Sequence, residues 1–339
     1  MQLDVMTSGG ELRSVQHLAQ DVARAGLDGL VVTEAGRTAY LSCAAAALAA
    51  DVDILTGIAV AFPRSPMVTA QIAWELAEAS GGRFRLGIGT QVRAHTERRY
   101  SAAFAPPGPR LREYVEAVRA CFRAFRGDER LGFDGRWWQM SLLPSQWSPG
   151  AIGVPDPPVD VAAVNPWMLR MAGEVADGVH VHPLNTVTYL QETVLPNVTA
   201  AGRRPQLIVP AFTAFGDTDH ERHRWREMAR MQVAFYGSTP NYAFIFEQLG
   251  YEGLTARIRE KQKAGDIPGM ASAVGDDVLA HFLTEGSWTE AGRRLVERYN
   301  GVADRVVLYF AGMAWAEDRG AIERWADVAT ELHAASSHG

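Results

Sequence analysis

The chain is poor in cysteine. Only Cys43 and Cys121 occur among its 339 residues. Both stand in helix-like apolar segments, which excludes a disulfide framework and reads as buried thiols in a reducing compartment. One-sided charge is also lacking. Lys and Arg total 33 against 39 Asp and Glu, a net charge of −6, without the basic surplus a nucleic-acid partner requires. No apolar run approaches the ~20 residues of a membrane span. No basic segment followed by an apolar one opens the chain, so no secretory leader is expected. The expected setting is cytoplasmic, with no membrane partner.

Several signatures are missing too. Gly87-Ile88-Gly89 would need a glycine at position 92 to complete a dinucleotide fingerprint, and Val92 stands there. There is no lysine-bearing phosphate loop and no G-x-S-x-G elbow. His180-Val181-His182 and His220-Glu221-Arg222-His223 each lack a third ligand at a recognisable spacing, so no metal site is expected.

What is present is alternation. Eight short β-like runs, at 2–6, 30–33, 54–60, 84–88, 159–164, 178–181, 207–214 and 305–310, are separated by amphipathic helical segments. In 11–25, Leu12, Val15, Leu18 and Val22 share one face, and Gly26 closes the helix. Strands joined by helices are parallel, and runs such as Ile54–Val60 are apolar on both faces. Eight such units predict the α/β class, as a single (β/α)8 TIM barrel over 1–339. Two stretches interrupt the rhythm. Residues 127–157, rich in Gly, Pro and Trp, predict a hairpin and an irregular loop. Residues 219–300 predict a mostly helical insertion.

In such a barrel the carboxyl ends of the strands carry function. Gly89-Thr90-Gln91 ends the fourth strand there. His180 and His182 share one face of the sixth and are candidates for contacting a substrate or cofactor. His220 and His223 read as a solvated helix face. Asn165-Pro166-Trp167-Met168 opens a helix, with two readings: an ordinary Asn cap, or a helix start offering N–H groups to a phosphate. Trp138 reads as packing of the 127–157 loop, whereas Trp137 and Trp167 are open to lining a pocket for a planar ring.

Three segments together resemble the bacterial luciferase-like family of flavin and deazaflavin oxidoreductases. They are Thr56–Pro66, Gly81–Gln91, and Ala162–Met168 running into Met171–Gly178. The stretch Gln91–Tyr100 is similar to the branch that uses the deazaflavin coenzyme F420. The resemblance implies a barrel with the ring in its mouth, Gly89, Thr90 and Gln91 beside it, and cofactor phosphate near Asn165–Met168. It also implies a non-proline cis peptide in the third strand, matched here to Ala59-Val60, as the wall behind the ring. Arg64, Arg93 and Arg98 are candidates for the anionic cofactor tail.

Two positions depart from the family. Ala35 stands where a histidine often follows the acidic residue that Glu34 matches. Val92 stands where related sugar-phosphate dehydrogenases carry a glutamate. The proton donor is therefore sought at Glu34 and His95, with Tyr100 behind them. The implied reaction is hydride transfer between reduced deazaflavin and a small organic substrate, reducing C=C or C=N. The alternative is an FMN-dependent monooxygenase using FMNH2 and O2. A barrel that binds cofactor without turnover is a third reading. Trp137, His180 and His182 are the expected substrate contacts, and a homodimer is the expected assembly.

Overall fold

The computed structural model describes residues 1–336. Eight parallel strands close on themselves. They are β1 (Gln2–Thr7), β2 (Gly29–Val32), β3 (Asp53–Thr56), β4 (Phe84–Gly89), β5 (Val159–Ala162), β6 (Gly178–His180), β7 (Gln206–Phe215) and β8 (Arg305–Leu308). Each pairs with the next, and β8 pairs back to β1 through Gln2↔Arg305 and Val5↔Leu308. The barrel expected from the alternation is the fold found.

Helices clothe it: α1 (Leu12–Arg24), α2 (Ala39–Ala47), α3 (Pro66–Ala79), α4 (Pro107–Arg126) and α5 (Pro166–Val175). The segment after β6 differs from one continuous helix. Short α-turns at Val187–Tyr189 and Leu195–Val198 flank a π-turn at Leu190–Val194. After β7 come α6 (Asp219–Gly237) and several short helices. Leu283–Gly286 then adds a parallel strand to the outer half of β7, so the long insertion is not helical throughout. Helices α7 (Ala291–Tyr299), α8 (Ala311–Glu317) and α9 (Ala321–Ser336) complete the layer. The 127–157 segment holds the expected hairpin, Phe133–Asp134 against Gln139–Met140. Cys43 and Cys121 are free and buried.

Strand alternation sorts the interior. Val31, Leu55, Ile208 and Val307 form a small cluster of their own, capped by Met6. Below it, at the amino ends, lies an ionic layer. Arg305 Nε donates to Asp4 Oδ2 (2.7 Å), and its Nη1 donates to Asp53 Oδ2 and Gln2 Oε1 (both 2.7 Å). Beside it, Arg85 holds Asp160 through two bonds of 2.9 and 2.6 Å. The opposite residues on each strand face the helices and form the main core.

The third strand is not continuous. It breaks after Thr56 and resumes as Ala59–Val60, paired to Ile88 and Gly89. The non-proline cis peptide is Gly57-Ile58, not Ala59-Val60. The expected position is therefore corrected by two residues, to the break itself.

Candidate active site at the carboxyl rim of the barrel

The floor of the mouth is built from small residues. An added Cβ on Gly89 would come 3.0 Å from Ile58 Cδ1 and 3.2 Å from Ala162 Cβ. Ile58 thus lies close over Gly89, and a larger side chain there would have to push it aside by a few tenths of an ångström. Thr90 Oγ1 donates to Gln91 O, and Thr96 Oγ1 donates to Thr90 O (2.8 Å). Those bonds tie the rim to a π-turn at His95–Arg99, and Gln91 adopts a left-handed φ of 56°.

Just below the floor lies His180. A Cβ on Gly87 would meet its Nε2 at 2.5 Å, and one on Gly57 would meet its Cε1 at 3.3 Å. Both glycines make room for the imidazole. The ring is buried, with Nε2 3.9 Å from Asp160 Oδ2 and no hydrogen-bond partner. Burial, then the charges of Arg85 and Arg305, push its pKa down to about 3, so it is neutral at physiological pH.

His182, two residues on and on the same face, stands at the mouth. Its Nδ1 accepts the Leu184 N–H (3.0 Å), which leaves the ring proton on Nε2. Its ring packs edge-on against Tyr236 (4.8 Å between centroids) and tilted against Tyr242 (4.3 Å). Burial pushes its pKa down to about 3 as well. Asn185 braces the turn by donating to His182 O (2.9 Å) and Pro210 O (2.9 Å). Beside it, the Tyr236 and Tyr309 hydroxyls share a hydrogen bond of 2.6 Å. Burial pushes both phenols up. Tyr309 follows β8 in the alternation Arg305, Val307, Tyr309 and packs on Phe212 of β7 at 4.9 Å. The mouth above β6–β8 is therefore a wall of neutral hydrogen-bonding rings.

The expected site residues are not all brought together. Glu34 is buried in an ion pair with Arg64 and accepts the Val60 N–H at 2.7 Å. Its oxygens hold the broken third strand rather than face the mouth. Arg64 is spent on Glu34 and Val60 O, with Tyr40 under its guanidinium. His95 is exposed on the π-turn. Arg93 pairs with Glu97 and also stands over Phe104, and Arg99 lies over Tyr100. Asn165 caps α5, accepting the Met168 N–H at 3.0 Å, with Pro166 in the first turn. Trp167, partly exposed, lies against Gly108 of α4, where a Cβ would sit 2.2 Å from its ring. The Trp137 and Trp138 N–H groups donate to Glu113, and Trp138 packs on Tyr114 and Phe62, as packing of the hairpin requires. Tyr236, Tyr242 and Tyr309 were not among the expected residues. The alternation along β8 marks Tyr309 as inward; nothing local in α6 marks Tyr236. Among the described residues no group of three or more His, Cys, Asp or Glu could hold a metal, and no helix is long and apolar enough to cross a membrane.

A closed parallel barrel with a small-residue floor and a neutral polar wall at its carboxyl rim defines a TIM-barrel enzyme. Its particular family follows from comparison: residues 1–305 match the luciferase-like monooxygenase family, and the chain belongs to it. An uncharacterised protein of Mycobacterium tuberculosis is 34% identical over 308 residues, covering 88% of this chain and 91% of that one. The 5,10-methylenetetrahydromethanopterin reductase of Archaeoglobus fulgidus is 27% identical over 260 residues, 74% of each chain. Two solved structures share the fold. The coenzyme F420-dependent tetrahydromethanopterin reductase of Methanopyrus kandleri aligns with a TM-score of 0.75 at 18% identity, over 96% of this chain and 97% of that one. The oxygenating constituent of 3,6-diketocamphane monooxygenase of Pseudomonas putida, in complex with FMN, aligns with a TM-score of 0.64 at 16% identity, over 98% of both.

Proposed function

We propose that the protein is an F420-dependent oxidoreductase that reduces a C=C or C=N bond of a small organic substrate. The observation that carries this reading is the kinship, across 74% of the chain, with a methylenetetrahydromethanopterin reductase. The residues present fit a flat heteroaromatic ring: the floor of Ile58, Gly89 and Ala162 is apolar and uncharged, and the facing wall is neutral. Thr90, Gln91 and the Ala59–Val60 segment would hold the ring. The start of α5 at Asn165–Met168, where backbone N–H groups and the helix dipole favour an anion, would hold its phosphate. When bound, the deazaflavin supplies the hydride.

The chain's own part is orientation and the proton. His182 offers Nε2–H as a neutral donor that can fix a carbonyl or amide of the substrate. In the tyrosine pair one hydroxyl donates to the other, which leaves one phenol proton to deliver into the mouth. Raised pKa values keep both phenols protonated at neutral pH. His95 on the exposed turn is the second candidate acid, and Glu34 acts through Arg64 and Val60 by holding the third strand in place.

Equilibrium titration of the purified protein with F420 and with FMN tests the reading. Saturable binding of F420 and none of FMN is expected. Saturable binding of FMN, with oxygen consumption when FMNH2 is supplied, would overturn it in favour of the monooxygenase.

A further inference from the structure

The wall above β6–β8 discriminates among substrates by charge. Four rings form it: His182, Tyr236, Tyr242 and Tyr309, each partly exposed. Tyr242 comes from a short helical turn after α6, and burial pushes its phenol up as it does the others. Among the described residues no carboxylate, arginine or lysine lies close enough to shift any of the four. Burial acts on all of them, and beyond it only the phenols act on one another. The buried carboxylates of the barrel are spent elsewhere: Asp4 on Arg305, Asp160 on Arg85 and Glu34 on Arg64.

What the wall offers is donors. Because His182 Nδ1 accepts the Leu184 N–H, Nε2 carries the proton, and no protein group among the described residues accepts it. The Tyr236–Tyr309 pair leaves one phenol proton over. Neutral donors without an anion suit negative charge that develops during a reaction. They do not suit a substrate that arrives as a cation, whose desolvation nothing here offsets. Nor does the wall hold a cation to receive a carboxylate or phosphate. The two bonds open to reduction differ in this respect. At an iminium carbon the hydride cancels a positive charge. At the β-carbon of a conjugated carbonyl it drives a pair of electrons onto oxygen, and negative charge appears there.

We infer that the substrate is a neutral α,β-unsaturated ketone or aldehyde, a reading that rests on the F420-dependent reduction proposed above. Its carbonyl oxygen accepts the His182 Nε2–H. The hydride adds to the β-carbon, and the C=C π pair shifts to give an enolate. The cofactor is oxidised by two electrons and the enone reduced by two. The α-carbon then takes the free phenol proton of the tyrosine pair, and a solvent proton returns to that phenolate. His182 thereby sets specificity by stabilising charge on oxygen, a role separate from the proton delivered to carbon.

Infrared difference spectra of cyclohexenone bound to the full-length protein test the contact, with oxidised F420 at saturation so that no turnover occurs. The carbonyl stretch is expected to move to lower frequency. His182→Phe keeps a ring against Tyr236 and Tyr242 and should abolish the shift. His182→Gln keeps an N–H donor and should restore part of it. With reduced F420, kcat/KM for cyclohexenone should exceed that for an N-methyldihydroisoquinolinium cation or for cyclohexenecarboxylate by about a hundredfold, the size of effect one well-placed oxyanion donor gives. An unshifted stretch in the unmodified protein, a shift that survives in His182→Phe, or turnover of the cation but not of the enone would overturn the proposal and leave the cofactor reading standing. Failure of F420 to bind would overturn both.

Discussion

His180 and Tyr309 divide the barrel interior between stability and chemistry. His180 titrates at 6.5 when exposed and at about 3 in the fold. Below pH 6.5 the unfolded chain binds a proton that the folded chain refuses, so folding stability falls as pH drops from 6.5 towards 3 and is fully present above 6.5. The slope for one such group is about 1.4 kcal/mol per pH unit. His182 carries the same sign. We expect His180→Asn to flatten the acid limb of denaturant-measured stability by about that slope, relative to the unmodified protein; parallel curves for the two would refute the assignment. Tyr309→Phe addresses chemistry instead. It removes one hydroxyl of the 2.6 Å pair and leaves the Phe212 contact. Turnover should drop about 10²-fold with F420 affinity unchanged, in the range of a lost general acid. If His95 supplied the proton, Tyr309→Phe would retain turnover and His95→Ala would lose it. At this scale the sequence was only partly legible. His182 could be marked from its place just beyond the end of β6. Glu34, by contrast, looks like a free rim acid until Arg64, 30 residues away, is seen to cover it. A carboxylate's partner across a turn is a tertiary fact with no local signature.

Elements were more legible than residues, because their signals are local. Periodicity, Gly26 after α1 and proline in the first turn of α3, α4 and α5 each act within a few residues. The failures occur where a neighbour overrides the pattern. Ile54–Val60 reads as one apolar strand, yet pairing with β4 is held in two pieces around Gly57-Ile58. Gly87 of β4 explains part of that construction. Its N–H donates to Thr56 Oγ1 (2.9 Å), and the same hydroxyl donates back to Gly87 O (2.7 Å). A Cβ at position 87 would sit 2.0 Å from Thr56 O and 2.5 Å from His180 Nε2. Neither neighbour can retreat, one being backbone and the other a ring wedged in the barrel. Gly87→Ala should therefore cost about 3 kcal/mol, the upper part of the usual overpacking range, and lower the thermal midpoint. Gly153→Ala, where a Cβ meets nothing within 4 Å, serves as the matched control and should leave the midpoint in place. Equal midpoints for the two variants would show that the floor yields.

At the scale of the whole molecule the barrel must join its first strand to its last, and Arg305 does this from inside. Its guanidinium takes both Asp4 oxygens, at 2.7 and 2.6 Å, across 301 residues of chain, and reaches Asp53 and Gln2 as well. Strand count and parallel direction follow from the alternation in the sequence, so closure could be anticipated. The ionic layer that accompanies it could not, since Asp4, Asp53 and Arg305 lie in strands that are mostly apolar and read as plain core. A buried pair of this kind adds little net stability over an apolar replacement, but removing one partner leaves the other charged and dry. Asp4 is fully buried. Arg305→Met should accordingly destabilise the protein by about 3–5 kcal/mol, read as a shift of the denaturant midpoint. The double variant Asp4→Leu with Arg305→Met removes the stranded carboxylate and should recover most of that loss, with Asp53 and Gln2 left near solvent at the open end. If the double variant is as unstable as Arg305→Met alone, the arginine holds the first and last strands together in its own right, and its bonds to Asp53 and Gln2 matter as much as the charge it neutralises.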